Sequence, residues 1–255
     1  MPAHVIKIGE PAHEDERAAL KFLADGLPAG STLFANPWLM QPNGAVYELD
    51  AIVVVDHGIF IVEIKGWRGH IQGGIRDWAL PKLGRRSRGT PPMETRRSPL
   101  LLARKTAQIL HTLLERESRT AGQVYVQELL FLPNAASFRA DQPGVQQRVA
   151  LRQEIHSRIG DPQHLNRIAN RRIRPIQAAD RGEVETALIK LLRGTPPQQP
   201  LRQIAGFTVI DQFDSNERFR EVLGEDTTGK RMVLRIYRMP WDASESEQLK
   251  IQKRA

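Results

Sequence analysis

The sequence predicts an α/β protein, with a mixed central sheet flanked by helices and a small α+β unit after it. Three observations carry this expectation. The segment "YELDAIVVVDHGIFIVEIKG" places two β-branched runs around "DHG", the signature of a hairpin. Amphipathic helix patterns precede and follow it in the chain. "TPPQQP", residues 195–200, then separates this region from three further short strand patterns.

The first helix is expected in "PAHEDERAALKFLAD", from Pro11 to about Ala24. Its proline stands early and its first turns are acidic, both favourable at a helix N-terminus. Ala19, Leu20 and Leu23 form its apolar stripe, and Glu16 falls on that stripe. "STLFANPWLM" is expected to hold a short strand and "QPNGA" a loop. Within "IFIVEIK", Phe60, Val62 and Ile64 line one face while Ile59 and Ile61 line the other. A strand apolar on both faces belongs at the centre of a sheet. Glu63 and Lys65 continue the second face at its C-terminal end. If the hairpin loop has two residues, Asp50 faces an odd-numbered partner near 63 or 65, and opposed residues share a face. Asp50, Glu63 and Lys65 then project together. A buried carboxylate needs a partner; Lys65 neutralises one, and a divalent cation would account for both.

Further along, "WRGHIQGGIRDWALPKLGRRSRGTPPMETRRSP" reads as one short strand and a long basic loop. "LLLARKTAQILHTLLERE" is an amphipathic helix, and "VYVQELLFLPNA" contains a strand. "VALRQEIHSRIG" and "GEVETALIKLLRG" read as two more helices, separated by the basic stretch "LNRIANRRIRP". The expected organisation is a first domain over residues 1–195, a linker over 196–203 and a small unit over 204–255. In that unit "FTVIDQF", "RFREVLG" and "KRMVLRIYRM" read as strands, and "ASESEQLKIQKRA" starts a helix that breaks off without a cap, as in a truncated chain.

Composition narrows the function. Among 255 residues, Lys and Arg outnumber Asp and Glu by 37 to 29, a net charge of +8 that favours polyanionic partners. The absence of cysteine excludes disulfides and thiolate metal sites. "MPAHVIKIGEPAHEDER" lacks a signal-peptide core, and no apolar run is long enough to cross a bilayer, so a soluble, cytoplasmic protein without membrane partners is expected.

"YELDAIVVVDHGIFIVEIKGWRGHI", with the "ERAALKFL" helix before it and the "SPLLLARKTAQIL" helix after it, resembles the nuclease-related domain, NERD, of the PD-(D/E)XK nuclease superfamily. The resemblance covers about residues 10 to 135. It implies a restriction-endonuclease-like sheet with Mg²⁺ or Mn²⁺ held at its edge by Asp50, Glu63 and the backbone carbonyl of Ile64. Glu16 enters as a further ligand or an anchor behind the site. Lys65 orients or deprotonates the attacking water, or neutralises the phosphorane; the resemblance leaves these roles open. Glu48 is a weaker candidate. Arg68, Gln72, Arg85, Arg86 and Arg88 are candidate DNA contacts, and "NRRIRP" is a second basic stretch able to follow a phosphate backbone. His70 reads as a polar loop residue, and Trp67 as packing against the sheet.

"FTVIDQFDSNERFREVLGEDTTGKRMVLRIYRM" resembles the first three strands of a protein-kinase N-lobe, with Arg235 at the usual lysine position and no glycine-rich loop. Kinase activity is not expected of these residues. The combined resemblance implies a DNA nuclease within a larger bacterial phage-defence protein, with protein partners in that system. The competing expectation is a DNA-binding or scaffold module whose nuclease site is silent.

Overall fold

The computed structural model describes residues 3–11, 13–41, 46–82, 92–193, 203–204, 206–215 and 219–237. The chain divides into two compact units, Met1–Pro197 and Gln198–Ala255.

In the first unit the elements run β1 (His4–Lys7), α1 (Glu14–Asp25), β2 (Thr32–Ala35), β3 (Trp38–Met40), β4 (Val46–Glu48), β5 (Ala51–Val55), β6 (Gly58–Ile64), β7 (Gly69–Gly73), β8 (Asp77–Pro81) and β9 (Met93–Arg97). Then follow α2 (Pro99–Glu117), β10 (Val126–Leu132), β11 (Ala135–Ala140), α3 (Pro143–Gln146), β12 (Val149–Leu151), α4 (Ile155–Gly160), α5 (Pro162–Ala169), α6 (Ala178–Leu191) and β13 (Leu192–Arg193). The central sheet has six strands in the order β1-β2-β5-β6-β10-β12. It is mixed. β2, β5 and β6 pair antiparallel, while β1 with β2, β6 with β10 and β10 with β12 pair parallel.

Both faces of β6 are buried, as its composition requires. Phe60, Val62 and Ile64 join Ala19, Leu20 and Leu23 of α1 in one core. Ile59 and Ile61 join Leu110 and Leu114 of α2 and Val184 and Leu188 of α6 in the other. This is the helix–sheet–helix layering that an α/β chain needs to cover a strand apolar on both sides. The hairpin tip is clamped from α6. Arg181 pairs with Asp56 at 2.7 Å and donates to the Val54 carbonyl at 3.0 Å.

The stretch expected to be a strand and a long loop forms three strands, β7, β8 and β9, which join β11 in a four-stranded sheet of order β11-β7-β8-β9. Its alternation is one-sided: Trp78 and Leu80 of β8 turn inward with Ile71 and Phe138, while the intervening residues face outward. Mixed outward positions, Asp77, Ala79 and Pro81 on β8, therefore masked the period in composition. A second departure is "VALRQEIHSRIG", whose first three residues form β12 before α4 begins. Val149, Ala150 and Leu151 are all buried beside β10, and that burial outweighs helix propensity. Residues 83–91 and 238–255, including Arg85, Arg86, Arg88 and the expected terminal helix, lie outside the described residues.

The second unit is an antiparallel sheet of β14 (Gln203–Ile204), β15 (Phe207–Ser215), β16 (Phe219–Glu225) and β17 (Arg231–Tyr237) in sequence order. Among the described residues, no helix is long and apolar enough to cross a membrane.

Phe131 of β10 is fully buried, with Phe22 of α1 stacked 6.3 Å away. Phe131→Ala is expected to destabilise the first unit by about 3–5 kcal/mol, read as a lowered denaturation midpoint.

Candidate active site

The candidate site grows out of the β5–β6 hairpin. Val55 pairs with Gly58, so Asp56 and His57 form a two-residue loop, and the register runs without interruption to Ala51 opposite Val62. Asp50 is the residue just before β5, and continuing that register by one step would set it across from Glu63. The Asp50 carboxylate turns back and accepts the backbone N–H of Ile64 at 2.6 Å. Glu63 and Lys65, two apart on β6 and the residues just after it, pair at 2.9 Å with side chains 15% and 24% exposed.

The third side comes from α1. Glu16 is half-buried, one turn before Ala19 on the buried stripe. Asn36 links it to the sheet: its side-chain amide donates to Glu16, and its backbone N–H donates to the Asp50 carbonyl at 2.9 Å. Asn36 has φ 50°, a left-handed conformation that asparagine tolerates better than most residues. It lies immediately after β2, where β2 and β5 part.

Charge is concentrated here. The Asp50 carboxyl is held well above the usual carboxylate range, first by burial and then by the like charge of Glu63. The Lys65 ammonium and the Ile64 N–H oppose that shift, and Glu16 adds to it. Asp50, Glu63, Lys65 and Glu16 thus form one electrostatic group at the end of a buried strand pair. Either a proton or a cation relieves the crowded carboxylates.

The donor set suits one kind of ion. Asp50 and Glu63 offer hard oxygens, and no cysteine is present in the chain. Among the described residues, no group of three or more His, Cys, Asp or Glu is arranged to hold a metal ion. Mg²⁺ does not require one, because it is held by one or two carboxylates and keeps several waters for substrate oxygens.

Around this centre lie residues that sequence reasoning did not single out. A Cβ on Gly66 would stand 3.5 Å from the Asp15 carboxylate and 3.7 Å from the Asn134 amide, so both side chains border the loop that follows Lys65. Arg68 lies 3.7 Å from Asp15, and both are exposed. The remaining candidates are placed elsewhere. Gln72 is on β7 and donates to Asp141 at 3.0 Å, while His70 pairs with Ser137 at 2.8 Å. Trp67 packs on Trp78, ring centroids 5.7 Å apart. Glu48 is exposed on β4, opposite Trp38 in a separate three-stranded sheet.

Residues 11–133 match the model of the nuclease-related domain, NERD. That segment is a NERD domain. It contains Glu16, Asp50, Glu63 and Lys65, together with α1, α2 and every strand from β2 to β10. The NERD fold here is completed from outside the matched segment, by β12 beside β10 and by α6 against the hairpin. The chain is also similar to "Probable kinase PglW" of Streptomyces coelicolor, 30% identical over 151 residues that cover 55% of this chain. The match spans only 9% of that protein's length. No solved structure matches.

Asp50→Asn keeps an acceptor for the Ile64 N–H and removes the buried charge. The native Asp50 carboxyl titrates above its ordinary value of 3.8. Above that pH the folded state therefore binds more protons than the unfolded state, and this residue's contribution to stability falls as pH rises. In metal-free buffer the stability advantage of Asp50→Asn over wild type is expected to grow from about pH 4 upward. Denaturation midpoints across the pH range check this, and an advantage that shrinks with pH contradicts it.

Proposed function

We propose that the first unit is a metal-dependent nuclease that hydrolyses DNA phosphodiester bonds, within a larger bacterial phage-defence protein of the cytoplasm. The observation that supports this reading is the register of β5 on β6, which sets Asp50 against Glu63 with Lys65 alongside. Asp50 and Glu63 would hold Mg²⁺ or Mn²⁺, with the Ile64 carbonyl as a further ligand and Glu16 behind them. The ion, when bound, supplies charge stabilisation at the scissile phosphate and lowers the pKa of water.

The chain's own residues do the rest. The Ile64 N–H fixes the Asp50 carboxylate in place, and Asn36 holds Glu16 near it, so the negative groups are positioned before substrate arrives. Lys65 is the cation nearest the reacting centre. Its pairing with Glu63 orients it, and it is placed to hold a proton or to face a phosphate oxygen. Arg68 follows three residues after Lys65, where an exposed guanidinium can meet the neighbouring phosphate. Gln72, on the second sheet, is a more distant candidate contact to the nucleic acid.

The Lys65–Glu63 ion pair also favours a second reading, a DNA-binding or scaffold module whose lysine is neutralised and whose site is silent. The second unit fits either setting. In it Arg235 of β17, at the position where kinases carry lysine, donates to Glu221 at 2.6 Å and covers the Phe219 ring at 4.7 Å. We read this unit as a kinase-like lobe with a structural arginine pair, in keeping with the kinase name of the Streptomyces relative.

Plasmid cleavage separates the readings. Purified protein with Mg²⁺ or Mn²⁺ is expected to nick supercoiled DNA, and Asp50→Ala or Lys65→Ala to slow cleavage by about 10²-fold or more with folding intact. Absence of cleavage with retained DNA binding selects the silent module.

A further inference from the structure

A cleft of about 440 Å³ lies between α2, β10 and the segment over residues 171–174, away from the acidic strand end. Five arginines line it: Arg104 of α2, Arg148 before β12, and Arg171, Arg172 and Arg174. It opens where the sheet loses a strand. β12 pairs only with Leu130–Leu132, so among the described residues the outer edge of β10 from Val126 to Leu129 has no strand partner. Side chains close that edge instead. Gln127 donates to the Glu128 carbonyl at 2.9 Å and to its carboxylate at 2.7 Å, and the Tyr125 hydroxyl donates to Gln127 at 3.2 Å.

The charges do not balance. Glu128 is the one carboxylate among the described lining residues, and it is already engaged by Arg148. Burial further raises its pKa, which weakens it as a counter-ion. Arg174 donates to Gln123 at 3.3 Å. Among the described residues, none of Arg104, Arg171 and Arg172 has a carboxylate within ion-pair distance. Arg171 lies 5.8 Å from the ring centre of Tyr125, which is half-buried in the same wall. Uncompensated guanidiniums around a concave, walled space bind an anion with several oxygens, and the arginine fork matches phosphate. An aromatic wall beside them accepts a planar base. The volume falls in the range of small-ligand pockets.

We propose that this cleft is a second anion site, which binds the phosphate groups of a nucleotide, either free or at the end of a nucleic-acid strand. It is distinct from the Asp50–Glu63 centre. In the β6–β10 register Glu63 aligns with Leu130, whereas the cleft is lined by residues 123–128, whose nearest member, Glu128, stands two positions or about 7 Å back along the strand, and none of the acidic-site residues lines it. The arginines come from three separate chain segments, so only the fold assembles them.

Binding measured without divalent ions, in EDTA, tests this independently of nuclease turnover. The probes are inorganic pyrophosphate, ATP, and a short oligothymidylate with and without a 5′-phosphate, each titrated into the full chain. The variant is Arg104→Gln/Arg171→Gln/Arg172→Gln, all exposed positions. At least one phosphate-bearing probe is expected to bind wild type, with affinity about tenfold or more lower in the variant and an unchanged melting temperature. For the strand probe, the slope of log affinity on log salt should fall by about 2, from three lost phosphate contacts. Pyrophosphate or ATP binding assigns the site to free nucleotide phosphates, and dependence on the 5′-phosphate assigns it to a strand end. Should the triple variant melt early, Arg172→Gln alone is expected to show a smaller loss in the same direction. The proposal is overturned if no phosphate probe binds or if the arginine changes leave affinity unaltered. It is equally overturned if pyrophosphate and ATP fail to bind and the two strands bind alike.

Discussion

The register of β5 against β6 is the constraint on which the site depends. Side chains alternate faces with a period of two, so one residue more or less in the turn would move Asp50 to the opposite side of the sheet from Glu63. The two-residue turn at Asp56 and His57 avoids that, and the rest of the unit holds the turn in place. Arg181 grips Asp56, and the Ile176 N–H donates to the Asp56 carbonyl at 2.6 Å. The apolar residues of both strands lock the same register from both faces.

Burial and charge work against each other at the far end of that ribbon. The core carries Asp50 out of solvent, which disfavours its ionised form, and Glu63 adds like charge. The Ile64 N–H and Lys65 offset part of this cost. On the proposed reading a small hard cation would offset the repulsion between the Asp50 and Glu63 carboxylates. At the start of the same parallel strand pair the imbalance has the other sign, with arginines converging on the open edge of β10. On the two proposals made above, the sheet separates an acidic end that would hold a cation from an arginine-lined cleft that would hold an anion.

Much of the acidic end was legible in sequence because its determinants are local. A short loop and an exact two-residue period fix parity once the strands are recognised, and Glu16 announces itself by interrupting an apolar stripe. Asn36 was missed, although "ANP" is a turn signal that marks a chain reversal. Its role depends on a contact with Glu16 across twenty residues. The β7–β9 sheet was hidden by polar outward positions such as His70, Gln72 and Asp77, and β12 by a helix-like run whose burial only the neighbouring β10 determines. Of the arginine cleft only the "NRRIRP" part, with Arg171, Arg172 and Arg174, was legible as a basic stretch, since Arg104 and Arg148 join it only through the packing of α2 and β12.

Calorimetric titration of Mn²⁺ into metal-free protein tests the central claim most directly, because it reads the carboxylate pair without requiring substrate or turnover. One bound ion per chain that disappears in both Asp50→Ala and Glu63→Ala, with the fold retained, is the predicted result. Absence of binding to wild type, or binding that survives both substitutions, would contradict the account.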